Sequence, residues 1–168
     1  MHRDIEQTLA LVEKETAGLG PLQLDRHPPG KWSTAQILEH LSRTYSATAY
    51  ILNRCCDQGR TKARSRTLRD WLGTLVVVEL GRFPTGVAAP AATRPAGLPA
   101  VEALAAVRGS LGALDEAAAR AEARFGPRLA LANHPLLGPF NVRQWRRFHL
   151  VHTKHHMKQI GRLRARMS

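Results

Sequence analysis

Phe148-His149-Leu150-Val151-His152-Thr153-Lys154-His155-His156-Met157-Lys158-Gln159-Ile160 carries four of the chain's eight histidines, and its periodicity decides how the rest is read. At ~100° per residue around a helix, Trp145, His149, His152, His156, Ile160 and Leu163 share one narrow stripe. Arg143, Arg147, Lys154 and Lys158 fall on the far side, and His155 lies toward the stripe's edge. A helix patterned this way turns its apolar stripe inward, which places three imidazoles on a core-facing surface. A buried imidazole needs partners for both ring nitrogens. Three such rings in separate hydrogen-bond networks are costly, and a metal ion shared by His152 and His156, one helical turn apart, satisfies at least two of them. For any one of these positions, an ordinary hydrogen-bonded core histidine is the alternative.

Working outward, the same helix begins at Asn141, with Gln144 three residues on in a capping-box pattern, and runs to about Arg166. Ser33-Thr34-Ala35-Gln36 is a second capping box. It opens a helix to about Cys56 whose inward face holds Ile37, His40, Thr44, Ala47 and Ile51. His40 therefore supplies a third inward imidazole beside the His152 and His156 pair. Asp4 to Thr16 has a stripe of Ile5, Leu9, Val12 and Thr16. Pro99 to Phe125 has a narrow seam of Leu104, Val107, Leu111, Leu114, Ala118, Ala121 and Phe125. Leu68 to Leu80 is read as a shorter helix, despite the β-branched run Val76-Val77-Val78, because no second strand candidate pairs with it. The stretches 22–31, 59–66, 83–98 and 128–140 are read as loops. The third of these holds Pro84, Pro90 and Pro95, and is long enough for a crossover or a lid. The expected fold is all-α: an antiparallel four-helix bundle with a long crossover and an additional short helix.

Composition narrows the function classes. A chain of 168 residues with 43% hydrophobic content is read as one domain, 1–168, with a real core. No apolar run reaches the ~20 residues of a membrane helix. The N-terminus lacks a signal-peptide pattern, so a cytoplasmic location without membrane association is expected. Cys55 and Cys56 are adjacent and read as reduced thiols. The net charge is +12, carried by twenty arginines and five lysines. That balance attracts nucleic acid without specificity, but the basic residues are scattered, and no zinc-finger, homeodomain or RNP motif accompanies them. No specific nucleic-acid partner is expected. A small-molecule substrate is, and amphipathic helices leave a homodimer open.

Three histidine ligands leave a coordination position free, whereas a structural zinc site is closed by four. Imidazole suits zinc, nickel, copper or ferrous iron, with zinc and nickel foremost. An open position admits water or a thiol, either of which a metal acidifies. His149 is read as a pocket residue rather than a fourth ligand, and Gln159 as lining the same face. Glu79 and His149 are the only candidates for a general base, and neither is assigned.

Lys31-Trp32-Ser33 followed by Ile37-Leu38-Glu39-His40-Leu41, with His152-Thr153-Lys154-His155-His156 and its trailing Gln159, resembles the DinB-like superfamily of metal-binding helical bundles, also called the YfiT-like metal-dependent hydrolases. His134-Pro135-Leu136-Leu137-Gly138, Trp145 and Phe148 resemble an uncharacterised branch of it. Met157-Lys158-Gln159 stands where many members have Arg-Gly-Gln. The resemblance implies a four-helix bundle with one long crossover and a divalent metal on His40, His152 and His156. It also implies, from members that are thiol-dependent S-transferases or a mycothiol-dependent isomerase, metal-dependent thiol transfer or hydrolysis with a low-molecular-weight thiol as co-substrate. A non-catalytic metal-binding bundle (sensor, store or remnant of a site) is the main alternative, and a basic nucleic-acid-binding module a lesser one.

Overall fold

The computed structural model describes residues 1–83, 86 and 88–166. Four long helices dominate it: α1 (Arg3–Thr16), α3 (Thr34–Gln58), α5 (Ala100–Phe125) and α6 (Val142–Ala165). Between them lie the short α2 (Pro21–Asp25), α4 (Leu68–Thr74), a 3₁₀ turn at Ala91–Thr93, and a two-stranded hairpin of β1 (Ala132–His134) and β2 (Gly138–Phe140).

Side-chain pairings give the helix directions. Glu39, near the start of α3, accepts from backbone N–H groups just ahead of α5, while at the other end Arg120 of α5 bonds Asn53 and Asp57 of α3. These two helices therefore run parallel, and residues 59–99 form the long crossover that parallel neighbours require. On the opposite face of α3, Tyr45 bonds Thr153 and Thr48 bonds His149, so α6 runs antiparallel to α3. Glu13 pairs with Arg108 and His2 with Asp115, so α1 is antiparallel to α5. The result is an all-α helical bundle. Its interior is filled by Ile5 of α1, Leu38, Leu41, Tyr45 and Leu52 of α3, Leu111 and Leu114 of α5, and Leu150 and Ile160 of α6.

Both expected capping boxes form. The Ser33 hydroxyl accepts from the Gln36 N–H at 3.1 Å and the Gln36 side chain accepts from the Ser33 N–H at 2.9 Å; Asn141 and Gln144 do the same for α6. Three expectations are corrected. Part of 22–31 is helical, because Pro21 is a favourable first-turn residue and Gln23 reaches back to the Gly20 N–H. Helix α4 loosens after Thr74 into a π-helical turn, Leu75–Glu79, at the valine run. Its β-branched side chains crowd an α-helical turn. The loop expected at 128–140 contains the hairpin, paired Ala132 with Phe140 and His134 with Gly138. Of the expected loop at 83–98, Pro84 lies outside the described residues.

The hairpin is locked to α4. Asp70 accepts two hydrogen bonds from Arg64, at 2.6 and 2.8 Å, and two more from Thr67. The Arg64 guanidinium and the Thr67 N–H hold its carboxyl well below the usual range. Gly138 packs directly on that carboxylate with φ +77°, a conformation that disfavours any side chain, and a Cβ there collides with Asp70. Gly138→Ala is expected to destabilise the fold by about 2 kcal/mol or more, read as a lowered denaturation midpoint with unchanged slope.

Candidate metal centre

His40 sits two turns into α3, and His152 and His156 lie one turn apart on α6. Antiparallel packing of these helices brings all three together, 4%, 5% and 7% exposed respectively. The His152 Nε2 lies 3.3 Å from His40 Nε2 and 3.0 Å from His156 Nε2. Four-coordinate zinc with Zn–N of 2.0–2.1 Å requires N···N edges of about 3.3 Å.

Two of the tautomers are fixed by what each ring's other nitrogen touches. His40 Nδ1 is 2.8 Å from the Thr93 carbonyl oxygen. A carbonyl only accepts, so Nδ1 carries the proton and Nε2 presents a lone pair to the centre. His156 Nδ1 is 2.9 Å from Gln159 Oε1, and the same amide's Nε2 lies 3.1 Å from His155 Nε2. With Oε1 accepting from His156, its Nε2 also offers a lone pair inward. His152 Nδ1 is buried with no hydrogen-bond partner among the described residues. If His152 is protonated on Nδ1, a buried donor is unpaired and three lone pairs face one another. If it is protonated on Nε2, an acceptor is stranded. A cation at the centre takes all three lone pairs at once. These residues fit a divalent transition metal, and the outer hydrogen bonds to Thr93 and Gln159 are of the kind that orient metal-bound imidazoles.

The surroundings keep the rings neutral, the form a metal needs. Burial pushes His152 well below the ordinary imidazole value, with repulsion from His156 and His40 adding to it. Burial, with His40 adding to it, takes His156 down to about 3 against the opposing Gln159 bond. His40 is lowered by burial, partly offset by Thr93. Phe83 and Phe148 both pack against the His152 ring, with centroids at 5.1 and 5.4 Å, and against each other at 6.2 Å, and Trp32 lies against His40 at 5.2 Å. The cluster opens into a cavity of about 730 Å³ whose walls include Ile37, Thr48, Ile51, His134, Trp145 and Phe148.

Of the remaining sequence candidates, His149 lines this cavity but stands apart from the trio. Its Nε2 lies 3.0 Å from the Thr48 hydroxyl, and burial depresses it to about 3. Gln159 acts on the site by holding His156. Glu79 is exposed on the π turn and does not line the cavity. Two contributors escaped sequence reasoning. His134 packs its ring 4.4 Å from Phe148 while its Nδ1 accepts from the Leu136 and Leu137 N–H groups. Its signal was the turn-like His134-Pro135 and Gly138-Pro139 frame. Glu39, next to His40, is buried and accepts from the N–H groups of Ala96, Gly97 and Leu98 at 2.7, 2.9 and 3.0 Å. Burial alone raises its carboxyl, but those three donors and Arg43 outweigh it and leave it lowered. At helical spacing Glu39 falls with Arg43, Ser46, Tyr50 and Asp57 on the polar side of α3, so the sequence pattern held no signal for it.

His149 is 0% exposed and neutral when folded, but titrates at the ordinary 6.5 when unfolded. Below that value the unfolded chain binds the extra proton, so stability falls as pH falls until the folded ring itself titrates. In urea titrations between about pH 6 and pH 4, His149→Gln is expected to reduce the pH slope of unfolding free energy by about 1.4 kcal/mol per pH unit.

No curated protein matches this chain, and no solved structure does. A family model described as the DinB superfamily matches residues 4–160. That span takes in His40, His152, His156 and the whole crossover between α3 and α5. The chain belongs to the DinB superfamily.

Proposed function

We propose that the protein is a metal-dependent enzyme that transfers or cleaves bonds at a small-molecule substrate, with a divalent ion, zinc or nickel foremost, held by His40, His152 and His156. The observation that carries this reading is the convergence of three imidazole Nε2 atoms, two with lone pairs fixed inward, on the wall of a cavity of about 730 Å³. A closed structural site needs no such chamber, and a three-ligand site facing one leaves room for a reacting molecule. A divalent ion bound there supplies Lewis acidity, which lowers the pKa of a thiol or water in the free position.

The chain's own residues define the rest. Thr93 and Gln159 orient the ligand rings, and Phe83 and Phe148 shield His152 from water. Trp32 covers His40. Among the described residues lining the cavity there is no aspartate or glutamate. With no carboxylate placed as a general base, thiol S-transfer fits better than hydrolysis, since a thiol has only a modest pKa to overcome. The same lack favours, as a second reading, a bundle that binds its ion without turnover.

Protein prepared without an affinity tag is expected to hold about one divalent ion per chain by elemental analysis. His40→Ala, His152→Ala and His156→Ala should each lose it while keeping their helical circular dichroism. Gln159→Leu should retain the ion with affinity weakened about tenfold, as for other outer partners of ligand imidazoles. Metal retained equally by the three alanine variants overturns the proposal.

A further inference from the structure

The distribution of charge around the cavity points to the class of molecule it takes. Lys31, Arg162 and Arg166 line it and are exposed at its mouth. None of the three has a carboxylate within ion-pair distance among the described residues. Ion pairs engage Arg43, Arg64, Arg108, Arg120 and Arg146, a minority of the twenty arginines, so what sets Lys31, Arg162 and Arg166 apart is that they share one cavity. From Leu80 to Val101, the stretch that includes the cavity's crossover wall, the sequence has no acidic residue at all. Glu39, beside His40, is turned away and consumed by three backbone N–H groups.

Position matters as much as sign. On α6, His155, Gln159, Arg162 and Arg166 are spaced by four, three and four residues, so they form a continuous stripe beside the ligand stripe. Arg162 lies about 9 Å along the axis from His156, and helical side chains lean toward the N-terminus, back toward the trio. Between the two regions the wall is largely apolar, with Leu163 and Ile37 among its residues. Neutral imidazoles add nothing to offset a bound divalent ion, and among the described lining residues there is no carboxylate to do so, so with the ion in place positive charge lies at the centre and at Arg162 and Arg166.

We propose that the cavity accepts an organic anion, a small molecule whose carboxylate or phosphate rests between Arg162 and Arg166 at the mouth while its other end reaches the three-histidine centre. This rests on the metal reading given above. It deepens it by assigning Arg162 and Arg166 as substrate-binding residues, with Lys31 contributing a further positive charge to the lining. Arginine suits the role because its planar fork engages two oxygens together.

The test uses cobalt-substituted protein and thiols of one chain length: mercaptohexanoate, mercaptohexyl phosphate, mercaptohexanol and aminohexanethiol. Each is titrated by its thiolate-to-cobalt absorption band. An anionic tail should tighten binding about tenfold over the alcohol, the sum of two partly exposed ion pairs. The amine should bind more weakly than the alcohol, and the anion preference should shrink as salt is raised. Arg162→Gln with Arg166→Gln should bring the anions down to the alcohol's affinity, while Arg69→Gln, outside the cavity, should leave the preference intact. Preference for the carboxylate or for the phosphate arm identifies which oxyanion is favoured within the proposed class. Equal binding of all four thiols, or a preference that survives the double variant, overturns the proposal.

A parallel arm uses metal-free protein, hexanoate and hexanol, followed by the fluorescence of Trp32 and Trp145, both of which line the cavity. A hexanoate preference abolished by the double variant supports the anion site on its own. If that preference stands while no cobalt binds, the metal reading alone falls. If cobalt binds but neither arm prefers the anion, the metal reading stands and this inference falls.

Discussion

Two imidazole lone pairs, those of His40 and His156, are turned inward onto the His152 ring in the protein interior, and the character of the site follows from that arrangement. The bundle could have satisfied His152 with a hydroxyl, as it does His149 with Thr48. Instead it surrounds His152 with two rings whose protons are drawn outward, one by the Thr93 carbonyl and one by the Gln159 amide. The polarity of the cluster is thus decided from outside it. Burial adds to this by disfavouring any charged imidazole, which keeps the three rings in the neutral form a metal takes.

Two features of the scaffold make such an arrangement stable. The first is the antiparallel seam of α3 and α6, where Tyr45–Thr153 and Thr48–His149 fix the register so that His40 meets His152 and His156 rather than a neighbouring turn. The second is the crossover. Its far end is gripped by the buried Glu39 carboxylate through three N–H donors, and its 3₁₀ turn delivers Thr93 to His40. Adjacent residues on one helix therefore divide the work: Glu39 holds the loop, and the loop orients His40.

The fold was legible in the sequence wherever a single helix face carried the signal. The capping boxes at Ser33 and Asn141, the 3.6-residue stripes and the proline-rich crossover mark the four long helices and their connection. The convergence of His40, His152 and His156 was legible for the same reason, since inward stripes on packed helices must meet. What escaped reading depends on contacts between distant segments. Strands of three residues with prolines between them have no periodicity to detect, so β1 and β2 emerge only when Gly138 seats on Asp70. The β-branched run Val76-Val77-Val78 signalled an irregular helix, but not the π turn that buries Val77 and Val78. The roles of Glu39 and His134 depend on backbone N–H groups contributed by loops. Side-chain spacing carries no record of these.

The Thr93 bond has a consequence for the order of assembly. It spans 53 residues, and the Glu39 grip on Leu98 spans 59. Contacts this remote close late, because the chain entropy of a long loop must be surrendered before they form. The seam of α3 with α6 is more remote still, 108 residues at Tyr45–Thr153 and 112 at His40–His152. By the same reasoning the crossover settles first, and the Thr93 carbonyl commits His40 to one tautomer before the last helix docks. Competence to capture an ion then arrives with α6, onto a ring the loop has already set.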